Sequence, residues 1–348
     1  QATLDNAAND SLFPEHILVT VPFDSRAVID IRSAANDSSD RLVVTGSDAA
    51  DRYLLTATGT DGNAIATIQA LDIRIGQTAL SNGLTITHQH VENVEINSRG
   101  GDDRLAVRTL HTRTTLNTGA GNDAIFVGSN AALGGLGLPD TNAGGTLNSI
   151  NALMTVNGQG SGDSDQLMLD DTGDGAPNQG TLTSTRITNG VIGTPAPLMA
   201  AGALMGVGGS ITYGSLEILQ INLGNAANSN VFTVESTHGD GSITAISSGT
   251  GADVFNIETM AGNLTLSTGG GSDTVRVGTT TGDIGQQAGV LDAFDSSANA
   301  IVGRLEIDAG TGNADTLKLY DSGDTTRENG RLSSAEIVGM GMTLGIGY

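Results

Sequence analysis

The sequence predicts an all-β chain wound as an elongated parallel β-solenoid (a β-helix), with coils of about 20 residues and loop insertions. Three observations carry this. The 348 residues include 50 Gly and 29 Asp but one Lys and no Trp, a composition of tight turns rather than helices. One long unit occurs twice: Thr115-Leu116-Asn117-Thr118-Gly119-Ala120-Gly121-Asn122-Asp123 returns further along the chain as Thr265-Leu266-Ser267-Thr268-Gly269-Gly270-Gly271-Ser272-Asp273. Within it runs a shorter period, a Gly-x-Gly-x-Asp turn followed by alternating apolar residues, at Gly119 to Val127, Gly249 to Ile257 and Gly269 to Val277.

Each short copy reads as strand, turn, strand. The interval from Asp103 to Asp123 equals that from Asp253 to Asp273 and sets the length of one coil. A repeat of that length cannot bury its own apolar face, whereas stacked coils can, at roughly 4.8 Å per coil. Stacking also brings the same corner of successive coils into register.

Along the chain, residues 1–39 form an N-terminal strand and assembly segment. Its apolar run from His16 to Val21 has no counterpart elsewhere. The solenoid is expected over residues 40–348. Asp40 to Gly46 and Asp51 to Gly59 read as its first strands. Two long units follow, at about 91–213 and 215–348, expected as one continuous stack because no Pro- or Ser-rich linker parts them. Asp165-Gln166-Leu167-Met168-Leu169 matches Asp315-Thr316-Leu317-Lys318-Leu319, and Asp171-Thr172-Gly173-Asp174 matches Asp321-Ser322-Gly323-Asp324. Gly180, Leu182 and Ile187 match Gly330, Leu332 and Ile337. Three stretches interrupt the coils as loops: Ser129 to Ala152, Thr194 to Gly209, and Gln286 to Ala300, the last with room for a short helix.

The formal net charge of −23 and pI near 4.2 exclude nucleic acid as a partner. No Cys is present, so disulfides, thiol catalysis and zinc-cysteine sites are excluded. The longest apolar stretch, Leu198 to Met205, is too short to form a transmembrane segment. Gln1 reads as the start of a mature or excised chain, in keeping with an extracellular or cell-surface location.

Asp outnumbers Glu by 29 to 9. Asp with Gly and Asn builds oxygen-rich loops suited to Ca²⁺. In-register carboxylates repel one another, and a divalent ion between coils reverses that sign. The candidate metal residues are Asp103, Gly119, Gly121, Asp123, Asp165, Gly249, Gly251, Asp253, Gly269, Gly271, Asp273 and Asp315. The alternative at each Asp is a turn cap that bonds backbone N–H groups. The same alternative stands for the pairs Asp171/Asp174 and Asp321/Asp324.

Gly119-Ala120-Gly121-Asn122-Asp123-Ala124-Ile125-Phe126 resembles one unit of the calcium-binding RTX nonapeptide, and Gly269-Gly270-Gly271-Ser272-Asp273-Thr274-Val275 is similar. RTX units run in immediate tandem, whereas these stand a full coil apart with Thr118 or Thr268 at the first Gly, so the resemblance implies a related corner only. From Asp40 onward, blocks such as Leu-x-Val-x-Gly, Gly-Leu-Thr-Ile and Asp-Ser-Gly-Asp-Thr-Thr resemble repeats of very long bacterial cell-surface proteins. That resemblance implies an extracellular structural or adhesive role.

Other chemistry is poorly supplied. His88, His90 and Glu92 alternate as on one strand face, but aligning Glu92 to Asn97 with Glu217 to Asn222 puts Tyr213 and Ser215 at the histidine positions, which argues against a dedicated metal site. A polysaccharide-active β-helix enzyme needs clustered carboxylates in a cleft, yet Asp102/Asp103 and Asp170/Asp171 are sequence neighbours that face opposite sides. No catalytic motif is present, and the expectation is a non-enzyme. For assembly, Ile17, Val19 and Val21 of one subunit are expected to complete the coil carrying Ile346 and Tyr348 of the next. This gives a head-to-tail homopolymer, a calcium-stabilised filament or surface layer. The alternative is a monomeric rod of a large calcium-binding adhesin that takes surface glycans on its inserts.

Overall fold

The computed structural model describes residues 2–5, 16–19, 28–32, 40–59, 64–71, 73–75, 78–80, 84–134, 138–160, 162–190, 202–225, 229–239, 241–279, 296–312 and 314–348. Every regular element among them is a β-strand, so the all-β expectation holds. Val21, most of residues 1–39 and much of the two later insertions lie outside the described residues. The chain falls into two compact units, Gln1–Leu169 with Met205–Leu216, and Asp170–Leu204 with Glu217–Tyr348. These units do not coincide with the sequence repeats. Met205–Leu216 belongs to the first unit because its strand Ser210–Gly214 pairs with Leu153–Gln159.

The first unit has two ladders. In one, His16–Val19, Arg41–Thr45, Asn93–Asn97, Arg113–Gly119, Leu153–Gln159 and Ser210–Gly214 lie in that order, all parallel. Period-two alternation sends every second side chain inward. Val44, Ile96, Leu116, Val156 and Tyr213 therefore form one in-register row, and all five are buried. In the other ladder, Arg52–Thr58, Arg104–Val107, Ala124–Val127 and Gln166–Asp170 are parallel. There Tyr53, Leu105, Ile125 and Leu167 form a row with no exposed surface. This ladder continues through an antiparallel meander, Arg52–Thr58 to Ile65–Ala70 to Thr85–Gln89.

The second unit repeats the scheme. Ile218–Asn222, Ile243–Ser247, Asn263–Ser267, Leu305–Asp308 and Ile346–Gly347 form one parallel series. Asn178–Leu182, Val231–Val234, Val254–Ile257, Thr274–Val277 and Thr316–Leu319 form the other. Antiparallel strands flank each, Arg186–Asn189 against Asn178–Leu182 and Gly330–Leu332 against Glu336–Gly339. Phe232, Phe255 and Val275 stack in register inside.

The excursion after Gly128 does not break the ladders. Arg113–Gly119 pairs directly with Leu153–Gln159, and Ala124–Val127 directly with Gln166–Asp170. Its residues fold back over the outer face, where Ala106, Ala124, Phe126 and Ala131 are buried together against Leu54, Leu133 and Met168. Arg52 ties it down through Asp140 and the Gly134 carbonyl, and Arg108 Nε donates to the Ala131 carbonyl at 2.6 Å.

One expected assembly residue is placed differently. Ile346 is fully buried, and its strand pairs with Leu305–Asp308 on one side and Glu336–Gly339 on the other. Both of its edges are occupied within its own unit, so it offers no edge to a second chain. Tyr348 is half-exposed, and its hydroxyl donates to the Ser333 carbonyl at 2.6 Å. Ile17 and Val19 lie on an end strand, in register with Leu42 and Val44.

Candidate functional site

The strands that begin at Arg104, Ala124, Val254, Thr274 and Thr316 are each preceded by an Asp. Parallel pairing places these residues one above the next, and they form two columns. In the first unit, Asp51 N–H donates to Asp103 Oδ1 (2.6 Å), Asp103 N–H to Asp123 Oδ1 (2.7 Å), and Asp123 N–H to Asp165 Oδ1 (2.9 Å). In the second, Asn178 N–H donates to Asn230 Oδ1 (3.0 Å), Asn230 N–H to Asp253 Oδ1 (2.7 Å), Asp253 N–H to Asp273 Oδ1 (2.8 Å), and Asp273 N–H to Asp315 Oδ1 (3.0 Å). Each accepting side chain caps the start of the neighbouring strand in its ladder, satisfying an N–H that would otherwise be buried without a partner. Ser47 extends the first column, donating its N–H to Asp51 Oδ2 at 2.7 Å.

The structure therefore brings Asp103, Asp123 and Asp165 together, and likewise Asp253, Asp273 and Asp315, as the period predicted. One oxygen of each caps a backbone N–H. Asp51, Asn178 and Asn230 belong to the same columns and were missed by the pattern. They lack the Gly-x-Gly turn, and two are Asn. The available signal was their position just before an alternating apolar strand, Arg52-Tyr53-Leu54-Leu55 or Val231-Phe232-Thr233-Val234.

The glycines serve close stacking. Gly119, Gly121, Gly251, Gly269 and Gly271 have positive φ, and Gly249 does not. An ideal Cβ at Gly121 would fall on the Gly101 carbonyl oxygen, and one at Gly271 on that of Gly251. A second, outer line of caps runs beside the first unit's column, with Asn122 N–H on Asp102 Oδ1 (2.8 Å) and Ser164 N–H on Asn122 Oδ1 (2.9 Å).

The paired turns after the columns differ in an informative way. In the first copy, Asn178 Nδ2 sits between two carboxylates, 2.6 Å from Asp171 Oδ2 and 3.3 Å from Asp174 Oδ2. At the matching position of the second copy the Asn becomes Glu328. Carboxylate oxygens of Asp321, Asp324 and Glu328 then lie within 4.8 Å of one another, a cluster that could hold a metal ion. Asp321 and Asp324 are half-buried and Glu328 is exposed. Asp324 takes Thr326 N–H (2.7 Å), the Thr326 hydroxyl (2.7 Å) and Asn299 Nδ2 (2.7 Å), and these bonds hold its carboxyl below the usual range.

His88, His90 and Glu92 do not converge. His88 points into the core of the first unit, where burial pushes it down to about 4. His90 occupies a positive-φ bend, and Glu92 accepts the Asp40 N–H at 2.9 Å. No protein-family model matches this chain, and no curated protein matches it.

Proposed function

We propose that this protein is an extracellular structural β-solenoid, non-catalytic, that polymerises head to tail and is stabilised by calcium. The observation that carries the reading is the pair of in-register parallel ladders in each unit, with corners capped coil to coil. Such walls extend by adding strands, and their end strands offer unpaired backbone groups to another chain. Among the described residues, one ladder of the first unit ends at His16–Val19, and one series of the second unit ends at Thr316–Leu319. Leu317 and Leu319 are only half-buried, unlike Val275 and Val277 one coil earlier. A second copy seated on Thr316–Leu319 would cover them.

The calcium in this reading is placed at Asp321, Asp324 and Glu328, whose carboxylate oxygens lie within 4.8 Å of one another. Replacing the bridging amide of Asn178 by the carboxylate of Glu328 removes the donor between two acids, and a hard cation restores the balance. An exposed site of this kind has a dissociation constant on the order of 10⁻⁴ to 10⁻³ M.

The test is electron microscopy of the chain in millimolar calcium and after chelation, with Glu328→Asn and Leu317→Lys/Leu319→Lys alongside. Expected are filaments that Leu317→Lys/Leu319→Lys abolishes and that weaken in chelator or in Glu328→Asn. Filaments unaffected by the edge substitutions would overturn the assembly route, and calorimetric calcium binding unchanged in Glu328→Asn would overturn the ion site.

A further inference from the structure

The second unit contains one hairpin twice, and the two copies differ in what covers them. Asn178–Leu182 pairs antiparallel with Arg186–Asn189, with Gly180 opposite Asn189 and Leu182 opposite Ile187. Gly330–Leu332 pairs antiparallel with Glu336–Gly339, with Gly330 opposite Gly339 and Leu332 opposite Ile337. These are the residues that the long repeat aligns. The turns also close alike. Thr183 N–H donates to the Arg186 carbonyl at 2.8 Å, and Ser333 N–H to the Glu336 carbonyl at 2.9 Å.

The first hairpin is covered on its other edge. Val231–Val234 pairs parallel with Asn178–Leu182, which sets Phe232 beside Gly180 and Val234 beside Leu182. A Cβ at Gly180 would lie 2.6 Å from Phe232 Cε2, so the glycine makes room for the ring. Leu182 is 0% exposed. Among the described residues, Gly330–Leu332 has no strand on that edge, and Leu332 is 73% exposed. The same side chain at the same hairpin position is thus buried where a parallel strand lies beside it and in solvent where none does. An edge with unpaired backbone groups and an uncovered Leu is a template for one more strand.

The chain carries a second strand of the covering kind. Val231–Val234 pairs parallel with Val254–Ile257, the strand that begins after Asp253. His16–Val19 pairs parallel with Arg41–Thr45, the strand that begins after Asp40. His16 to Val19 therefore hold the register positions of Val231 to Val234. The approach to each strand matches as well. Leu4-Asp5-Asn6-Ala7-Ala8-Asn9 precedes His16 as Leu223-Gly224-Asn225-Ala226-Ala227-Asn228 precedes Val231, and this run occurs at these two places alone. Among the described residues, His16–Val19 has a partner strand on one side only.

We propose that the strand His16–Val19 of a second copy pairs parallel with Gly330–Leu332, in the register that Val231–Val234 takes on Asn178–Leu182. Ile17 then stands beside Gly330, Leu18 beside Arg331 and Val19 beside Leu332. The inference rests on the head-to-tail reading above and names the strands and register of its contact. Residue sizes agree with it. At Gly330 an added Cβ would meet Met340 Cγ at 2.8 Å, and the position that aligns with Met340 in the first hairpin is Gly190. The smaller Ile17 in place of Phe232 leaves room for Met340, whose unbranched side chain adapts to its neighbours. Thr316–Leu319 precedes Gly330–Leu332 in the chain as Ala2–Asp5 precedes His16–Val19. A contact that keeps this order seats Ala2–Asp5 on Thr316–Leu319, the other open edge of the unit.

The chain has no Cys, so single introduced cysteines report on the contact. Arg331→Cys and Leu18→Cys, made in separate chains and mixed under mild oxidation, are expected to give a disulfide-linked dimer, because the register sets their Cα atoms about 4.8 Å apart. Arg331→Cys mixed with His16→Cys is expected to give several-fold less, since that pair stands at about 8 Å, beyond disulfide reach. Leu332→Ala is expected to raise the concentration at which filaments form by roughly tenfold or more, as for loss of a buried leucine side chain. Filaments that give no dimer from the Arg331→Cys and Leu18→Cys mixture, or as much from His16→Cys, would overturn the proposed strand and register while leaving the head-to-tail reading in place. Arg331→Cys linking to itself would set tail against tail and overturn both. A chain that stays monomeric in sedimentation would also remove both, and would give the edge to a different partner.

Discussion

At Gly271 the backbone turns with φ +141, and a Cβ would fall on the Gly251 carbonyl oxygen of the neighbouring turn. Gly175, in the same unit, has nothing within 4 Å of an added Cβ and no positive φ. Gly271→Ala is therefore expected to destabilise by about 2–3 kcal/mol, whereas Gly175→Ala stays within about 0.5 kcal/mol. Urea unfolding of the two variants checks this, and equal effects would contradict close stacking at the corner. The residues of the corner were the most legible part of the sequence. Asp103, Asp123, Asp253, Asp273 and Asp315 stood out because an Asp just ahead of an alternating apolar strand recurs, with the same spacing from Asp103 to Asp123 as from Asp253 to Asp273. Asp51 and Asn230 stayed hidden because the column selects for an acceptor oxygen, which Asn supplies as well as Asp, and tolerates turns without Gly-x-Gly; Asn178 joins through its backbone N–H, which carries no sequence signal. Nor did the spacing distinguish a cap from a metal ligand, since both require an oxygen at the same corner.

Alternating apolar residues identified the strands Arg104–Val107, Ala124–Val127 and Thr274–Val277, because a strand with one face inward must alternate. Alternation carries no information about strand direction, so the antiparallel meander through Ile65–Ala70 was not legible. It also says little about what covers the outer face. Phe126 points outward from its ladder yet is only 5% exposed, since the excursion after Gly128 lies over it. Arg52 and Arg104 hold that loop through Asp140, at 3.2 Å and 3.8 Å, contacts between residues far apart in the sequence. Phe126→Ala is expected to cost about 3 kcal/mol, as for an interior aromatic, and chemical denaturation measures it. A loss below about 0.5 kcal/mol, the size of an ordinary surface substitution, would mean that the loop does not cover this face.

For the molecule as a whole, the long repeat revealed that the architecture occurs twice, and both units contain the same two parallel series with the same capped corners. The compact units nevertheless divide elsewhere, because Met205–Leu216 pairs back onto the first. A strand's sequence states which face is buried, but the choice of a partner distant in the chain depends on the intervening loop. The central claim is the order and register of the parallel ladder, from which the corner columns, the end strands and the proposed assembly all follow. In the first unit, Val43, Glu95, Thr115, Thr155 and Thr212 occupy successive steps of one row. The chain has no Cys, so cysteines introduced in pairs carry spin labels at these positions alone. The most direct measurement is pulsed electron resonance between labels at Val43 and Thr115, and between labels at Val43 and Thr212. Two steps predict a backbone separation of about 10 Å and four steps about 19 Å. Distances that fail to double, or a separation from Val43 to Thr212 far from that range, would contradict the ladder and everything built on it.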